Sequence, residues 1–280
     1  MTSPAPQVPA VSLSDGRVIP QLGFGTFRVP PEDAERVVSD ALEAGYRHLD
    51  TAQMYGNEEG VGRAIASSGI PGDELWVTTK LNNTFHDRDA ALAATERSLA
   101  ALGGRIDLYL VHWPLAMYAD VARVWAVMEE IHAEMEVGSI GVSNFTAANL
   151  DRLAEAGGPT PVVNQIESNP YFVNDDLRSN CNDKGIAVEA WSPLAQGKVF
   201  DDPQLIALAD QIGRTVSQVV LRWTVQRGDI VFPKSSKPAR MRDNLKVFDF
   251  ELTDEQMASI SALHNGIRSG PDPDLFDRRG

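Results

Sequence analysis

Four side chains that can hold or move protons follow three consecutive β-prone runs of the chain. Asp50 comes directly after the run 46–49, and Tyr55 lies a little further on in a predicted loop. Lys80 follows the run 75–79, and His112 follows the run 106–111. If these runs are parallel strands, their carboxyl ends share one face of a sheet, where α/β proteins carry their active sites. We therefore expect the four side chains to converge.

Such a set suits the reduction of a carbonyl by hydride, because the alkoxide that forms needs a proton. The phenol of Tyr55 can donate it, and an ammonium group beside a phenol lowers the phenol's pKa. Lys80 can supply that ammonium and Asp50 can hold it in place, while neutral His112 can hydrogen-bond the carbonyl oxygen. Each residue also has a structural interpretation: Asp50 caps a turn, Tyr55 is a surface aromatic, Lys80 forms an ion pair and His112 is a hydrogen-bonded strand end.

A repeated pattern of a short apolar run followed by an amphipathic segment positions these residues. The predicted strands cover 22–25, 46–49, 75–79, 106–111, 139–142, 162–166, 187–190 and 230–232. The predicted helices cover about 31–44, 57–68, 87–102, 120–133, 146–156, 174–184, 203–225 and 238–246, with Asn57 as the N-cap of the second. Eight strand–helix units without a linker-like break favour an α/β fold of the closed (β/α)8 TIM-barrel type over an open sheet.

Three segments lie outside this repeat. A Gly-containing turn at 14–16 between two β-prone triplets predicts an N-terminal β-hairpin. Thr253 predicts the start of an additional C-terminal helix at 253–263, and the tail after it either folds over the barrel mouth or is disordered. We expect residues 1–280 to form one barrel domain, with the proline-rich residues 1–9 disordered.

Charge and cysteine content exclude several classes of partner. Lys and Arg total 25 against 39 Asp and Glu, a net charge of −14, which argues against nucleic-acid and membrane partners. The single Cys181 excludes an intrachain disulfide and a cysteine-rich zinc site, and no metal site is predicted. No long apolar run or secretory-type start is present, so we expect a cytoplasmic monomer that acts on a small molecule.

A local basic cluster follows the last predicted strand of this acidic chain. It consists of Lys234, Lys237, Arg240, Arg242 and Lys246. Phosphate sites recur at this place in barrels, and a helix N-terminus adds donors. The alternative is a solvated helix face. No Rossmann fingerprint or P-loop is present, since Arg28 stands where a third glycine after Gly23 and Gly25 would be needed.

Taken in order, the strand-end motifs resemble the aldo-keto reductase family along nearly the whole chain from Val11 onward. They are Leu-Gly-Phe-Gly-Thr26, Asp50-Thr-Ala-x-x-Tyr55-Gly-Asn-Glu58, Thr-Thr-Lys80, Leu-Val-His112-Trp-Pro, Ile-Gly-Val-Ser143-Asn144-Phe, Val-Asn-Gln165-Ile-Glu, Trp191-Ser-Pro-Leu194 and Pro-Lys234-Ser235 with Arg240 and Asn244. Any one of them arises by chance, but all of them in order at predicted strand ends do not. The segment 247–254 is most similar to bacterial members of the 2,5-diketo-D-gluconate reductase type.

The resemblance implies reduction of an aldehyde or ketone by NADPH, with Tyr55 as general acid supported by Asp50, Lys80 and His112. Ser143, Asn144 and Gln165 would bond the nicotinamide carboxamide, Trp191 would stack on the ring, and Arg240 would bind the 2′-phosphate. The implied cofactor-binding residues are Gly25, Thr26, Ser143, Asn144, Gln165, Trp191, Leu194, Lys234, Ser235, Lys237, Arg240 and Asn244. Phe27, Asn82 and Trp113 are the substrate-binding candidates.

Two departures from the family pattern affect the substrate pocket. Asn82 stands where this branch usually has a tryptophan, and Ser168-Asn169 precede Pro170 where Leu-His is usual. The first change removes a large flat wall of the expected substrate pocket, so the substrate preference of this branch does not carry over to this chain. A nicotinamide-nucleotide-binding sensor or regulatory subunit with little turnover is the alternative function, against which the intact Asp, Tyr, Lys and His set favours an enzyme.

Overall fold

The computed structural model describes residues 8–276, in which eight parallel strands follow one another around a barrel in chain order. The strands of the hairpin are β1 (Ala10–Ser12) and β2 (Val18–Pro20), and those of the barrel are β3 (Phe24–Gly25), β4 (His48–Asp50), β5 (Trp76–Leu81), β6 (Ile106–Val111), β7 (Val137–Ser143), β8 (Val163–Glu167), β9 (Ala187–Trp191) and β10 (Ile230–Val231). The helices are α1 (Pro31–Ala44), α2 (Glu58–Ser68), α3 (Arg88–Ala101), α4 (Val121–Glu134), α5 (Ala147–Ala156), α6 (Asp175–Asp183), α7 (Pro203–Ile212), α8 (Val216–Gln226), α9 (Pro238–Leu245) and α10 (Asp254–Ser261).

Backbone hydrogen bonds next to β3 close the sheet. The N–H of Gly23 donates to the carbonyl of Val231 at 2.8 Å, and the N–H of Val231 donates to the carbonyl of Gln21 at 2.9 Å. The predicted (β/α)8 barrel is thereby confirmed. Its strands are buried on both faces, as expected for a parallel sheet covered by helices.

The predicted hairpin is present and closes the amino-terminal end of the barrel. β1 pairs antiparallel with β2, and Leu13 and Ile19 pack with Trp76 and Leu108 in one buried cluster. Chemistry is therefore confined to the opposite end, where the carboxyl ends of the strands lie.

The single helix predicted over 203–225 is wrong, because the chain breaks there into α7 and α8. Gly213 adopts a left-handed conformation with φ 66° and ends α7. Thr215 then begins α8 with a capping box that it forms with Gln218. Two short helices rather than one long helix therefore follow β9.

The tail after α10 folds over the barrel mouth, which resolves the alternative left open by the sequence. The carboxylate of Glu167 accepts the backbone N–H groups of Ser269 at 2.5 Å and Gly270 at 3.3 Å. Phe276 packs on Trp113 with ring centroids 4.1 Å apart. Residues 1–7 of the segment expected to be disordered lie outside the described residues, whereas Val8 packs against the core. No helix within residues 8–276 is long and apolar enough to cross a membrane.

Candidate active site

A cavity of about 470 Å³ lies at the carboxyl ends of the barrel strands. The predicted site residues that line it are Gly25, Phe27, Asp50, Tyr55, His112, Trp113, Ser143, Asn144, Gln165, Trp191 and Lys234. The structure thus brings together residues that are widely separated in the chain. Part of the remaining wall comes from the tail, through Ser269, Gly270, Pro271 and Phe276.

A buried ion pair lies at the base of this cavity. The ammonium of Lys80 donates to both carboxylate oxygens of Asp50 and to the carbonyl of Thr51, each at 2.8 Å. Both side chains are almost fully buried, with exposed fractions of 0% and 1%. Burial by itself lowers the pKa of Lys80, but the neighbouring Asp50 and Tyr55 outweigh it and raise that pKa above its ordinary value. Lys80 is therefore charged at neutral pH.

Tyr55 is held beside this pair by a tightly bonded loop. Thr51 donates its hydroxyl hydrogen to Oδ1 of Asn57 at 2.9 Å, and Nδ2 of Asn57 donates to the carbonyls of Thr26 and Val29. Asn57 occupies the predicted N-cap position of α2, but its side chain bonds these loops instead of capping the helix. The loop leaves the ring centroid of Tyr55 5.2 Å from Nζ of Lys80.

The pKa of Tyr55 differs from the sequence-based expectation. We expected Lys80 to bring it below the ordinary value, and the ammonium does act in that direction. Burial of the phenol is the larger effect and raises the pKa above 10.0. Tyr55 is consequently protonated at neutral pH, as a proton donor must be.

His112 contributes an uncharged imidazole to the same wall. Its ring lies 5.8 Å from that of Tyr55, centroid to centroid. Burial, and then the charge of Lys80, lower the pKa of His112 well below 6.5. Its Nδ1 has no hydrogen-bond partner among the described residues. At neutral pH this histidine can bond a ligand oxygen without carrying charge.

Polar side chains from β7, β8 and β9 form the opposite wall. Asn144, whose φ is 63°, donates from Nδ2 to the carbonyl of His112 and to Oγ of Ser143, both at 3.0 Å. Its Oδ1 accepts the indole N–H of Trp191 at 2.9 Å, which fixes the plane of that ring. Nε2 of Gln165 donates to Asp50 at 2.8 Å and to Glu189 at 2.7 Å. Both amide hydrogens of Gln165 are thereby used, and its carbonyl oxygen is left for the cavity.

The basic residues predicted to bind phosphate lie beyond β10. Lys234 is exposed and lines the cavity, whereas Lys237 and Arg240 are exposed near the start of α9. None of these three forms an ion pair with another described residue, even though the chain is strongly acidic. Ser235 is buried and its hydroxyl oxygen accepts the backbone N–H of Lys237 at 3.1 Å, which shapes the turn before α9.

Seven predicted binding residues do not line the cavity: Ser235, Lys237 and Arg240, which lie beyond β10, and Thr26, Leu194, Asn244 and Asn82. Thr26 is buried and donates to the carbonyl of Asp50 at 3.0 Å, Leu194 packs against the core, and Asn244 accepts from Ser217 at 2.9 Å. Asn82 lines a second cavity of about 390 Å³ together with Gln53, Glu58 and Arg97. Its backbone N–H donates to Gln53 at 2.8 Å.

Sequence reasoning missed the tail residues and one buried carboxyl group. The tail carried no periodic signal that would place Phe276 against Trp113. The sequence does contain a signal for Glu189, because it is a charged residue within an otherwise apolar predicted strand. A charge at such a position is buried and needs a polar partner.

Comparison with known proteins agrees with this geometry. A profile of the aldo/keto reductase family matches residues 21–265. An aldo-keto reductase of Mycobacterium sp. (strain KMS) is 47% identical over 276 residues, covering 97% of this chain and 99% of the relative. A methylglyoxal reductase DkgA of Yersinia pestis is 42% identical over 271 residues, covering 96% of this chain and 97% of the relative.

Solved structures show the same similarity. An aldo-keto reductase of Bombyx mori in complex with NADP superposes with a TM-score of 0.90 at 38% identity, covering 96% of each chain. A mutant of Gox0644 in complex with NADPH gives a TM-score of 0.92 at 38% identity, covering 96% of this chain and 99% of that one. The family profile, the full-length relatives and the barrel with its strand-end residues lead to one conclusion: this chain belongs to the aldo/keto reductase family.

Proposed function

We propose that this protein reduces aldehydes or ketones to alcohols with NADPH, with Tyr55 as the general acid. The observation that carries the proposal is the buried Lys80–Asp50 ion pair next to Tyr55, on a cavity wall shared with uncharged His112. An ion pair so deeply buried is costly to maintain, and at the base of a cavity it has a chemical use.

The residues present fit a nicotinamide dinucleotide. The indole of Trp191 offers a flat face held in one plane, and Gln165 offers a carbonyl oxygen to a carboxamide N–H. Lys234, Lys237 and Arg240 are cations without ion-pair partners among the described residues, as an anion site requires. The relatives solved with NADP and NADPH support this choice of cofactor. When bound, NADPH supplies the hydride.

Each catalytic side chain then has a defined task. His112, being neutral, holds the carbonyl oxygen by an imidazole N–H. Tyr55 donates its phenolic proton to that oxygen as negative charge develops there. Lys80 stabilises the phenolate that Tyr55 becomes, and Asp50 keeps Lys80 charged and in position. Phe27, Trp113 and Phe276 supply apolar surface around the substrate.

Consumption of NADPH with a panel of carbonyl compounds tests the proposal. The panel contains α-dicarbonyls, aldoses, keto acids and aromatic aldehydes, and the relative named methylglyoxal reductase makes α-oxoaldehydes the first compounds to try. Tyr55→Phe should bind NADPH normally and lose about 10²–10⁴-fold in kcat, since only the donated proton is removed. Near-normal kcat in this variant would assign the proton to another group.

The same assay separates the enzyme from the alternative function. A sensor or regulatory subunit would bind NADPH but consume it negligibly with every compound of the panel. The intact set of Asp50, Tyr55, Lys80 and His112 favours the enzyme. The expectations of a monomer, of one domain and of a cytoplasmic location stay predictions.

A further inference from the structure

Glu189 is a buried carboxyl group without a task in the proposed mechanism. It lies on β9 with an exposed fraction of 0%, directly opposite Gln165 in the register of β8 and β9. Its Oε2 accepts an N–H of Gln165 at 2.7 Å, whereas its Oε1 has no hydrogen-bond partner among the described residues. Burying a carboxyl group costs free energy, so its presence in this position indicates a function that offsets this cost.

Hydrogen bonds connect Glu189 to the catalytic pair through one amide. Gln165 donates one N–H to Glu189 and the other to Oδ2 of Asp50, and Asp50 accepts in turn from Lys80. The two carboxyl groups therefore hold the Gln165 amide from both sides and direct its carbonyl oxygen into the cavity. Any change in the charge of Glu189 therefore acts on the part of the cavity wall that Gln165 forms.

We propose that Glu189 is a positioning residue that holds Gln165 for the nicotinamide carboxamide and, when it ionises, favours binding of the oxidised cofactor over the reduced one. The inference rests on the proposed function, since it takes the ligand to be a nicotinamide dinucleotide. Its electrostatic basis is simple: the oxidised nicotinamide ring carries a positive charge and the reduced ring does not. A negative charge behind Gln165 therefore stabilises NADP⁺ more than NADPH.

The surroundings of Glu189 place its titration in an accessible pH range. Burial, and then the negative charge of Asp50, raise the pKa of Glu189 to about 8, against the opposing effects of Gln165 and Lys80. Asp50 on β4 and Lys80 on β5 are the charged groups that face it, and its register neighbours, Gln165 and Ile230, carry no charge. Glu189 is thus neutral at pH 6.5 and largely ionised at pH 9.

The nearby histidines His48 and His112 and the phenol of Tyr55 do not change charge over this interval. Burial lowers the pKa of His48 to about 4 and that of His112 well below 6.5, and it raises the pKa of Tyr55 above 10.0. The 2′-phosphate titrates near pH 6, but it is present in both cofactors and cancels in the ratio of their affinities. The ratio Kd(NADPH)/Kd(NADP⁺) therefore reports the charge of Glu189.

Titration of both cofactors by quenching of protein fluorescence at pH 6.5 and pH 9 tests the inference. In the wild type the ratio Kd(NADPH)/Kd(NADP⁺) should rise by about fivefold or more between these pH values. Glu189→Gln cannot ionise but can still accept the Gln165 N–H, so its ratio should stay constant. Glu58→Gln is the matched control, because Glu58 is a partly buried carboxyl whose pKa is also raised by burial but which accepts hydrogen bonds from Thr79 and Ser98 instead of Gln165. Its ratio should rise as in the wild type.

Calorimetry gives a second, independent measurement. By linkage, NADP⁺ binding should release protons from the wild type at pH 8, seen as a dependence of the binding heat on the buffer, and Glu189→Gln should release none. A ratio that is constant in the wild type, or that rises equally in Glu189→Gln, overturns the inference even if the variant proves hard to obtain. Failure of the wild type to bind either cofactor would instead refute the proposed function.

Discussion

Removal of the Lys80 ammonium should destabilise the barrel as well as stop catalysis. Lys80→Met retains a long flexible side chain of similar shape but leaves the carboxylate of Asp50 buried, with an exposed fraction of 1%. The remaining side-chain donor to Asp50 among the described residues is Gln165 at 2.8 Å. The ionised carboxylate then lacks its compensating charge and both hydrogen bonds from Lys80, and the carbonyl of Thr51 loses a third.

The expected loss is large for a single substitution. Breaking a buried ion pair by removing one partner costs about 3–5 kcal/mol. For chains of this size about 1 kcal/mol corresponds to about 2–4 °C in Tm, so Lys80→Met should melt about 6–20 °C below the wild type. The double variant Asp50→Asn/Lys80→Met should be more stable than Lys80→Met alone, because it no longer buries an unpaired charge.

The pH dependence has a defined sign. Burial raises the pKa of Asp50 in the wild type, and the charge of Lys80 opposes that rise. In Lys80→Met the opposing charge is gone, so the pKa of Asp50 must rise further and protonation stabilises the folded variant. The difference in free energy of unfolding between the wild type and Lys80→Met should therefore become smaller as the pH is lowered toward 5 and larger as the pH is raised.

Urea denaturation followed by the fluorescence of the 5 tryptophans measures these differences. Lys198→Met is the matched control, because Lys198 is exposed and forms no ion pair with another described residue. The reasoning is refuted if Lys80→Met is as stable as this control, or if the double variant is no more stable than Lys80→Met.

Three further predictions concern cofactor choice, the substrate pocket and stability. Arg240→Ala should weaken NADPH binding by about 10- to 150-fold and NADH binding little, since charged hydrogen bonds are worth roughly 1.5–3 kcal/mol. Arg152→Ala, at an exposed arginine on α5 outside the basic cluster, is the control, and equal losses for both cofactors in Arg240→Ala would show that Arg240 does not bind the 2′-phosphate. Asn82 lines the second cavity, so Asn82→Trp should leave the ratio of kcat/KM for a bulky aldehyde to kcat/KM for a small one unchanged, whereas a lower ratio would show that residue 82 reaches the substrate. Glu189→Gln should gain stability relative to the wild type as the pH rises from about 5 to 8, by at most about 1.4 kcal/mol per pH unit. The reason is that the folded wild type keeps the Glu189 proton up to a pKa of about 8, whereas the unfolded chain releases it earlier. Free energies of unfolding in urea that change in parallel with pH for the two proteins would contradict this.

Much of the fold and of the candidate catalytic set could be predicted because the controlling interactions are local or follow from a general rule. Alternating apolar runs and amphipathic segments predict strands and helices, and parallel strands in a barrel end on one face. Asp50, Lys80 and His112 could therefore be placed together without any knowledge of their contacts. The start of α10 is equally local, since Thr253 and Gln256 form the capping box that their spacing indicates.

The break between α7 and α8 shows where apolar periodicity fails. Apolar residues continue at helical spacing on both sides of Gly213, so periodicity alone predicts one continuous helix. The left-handed conformation of Gly213 and the hydrogen bonds of Thr215 decide the boundary. Both are local signals, a glycine suited to a helix end and a Thr-x-x-Gln capping box, and they override the apolar periodicity.

Only the tertiary structure decided which polar atoms meet inside the barrel. Gln165 bonds Asp50 from 115 positions away and Glu189 from 24, and Glu167 anchors a tail segment 102 residues further along the chain. The pKa of Tyr55 likewise depends on how completely the fold buries the phenol, because the effect of burial outweighs that of the neighbouring ammonium. Desolvation and long-range hydrogen bonding are properties of the packed barrel, since a residue's solvent exposure and its distant partners exist only once the strands have closed around it.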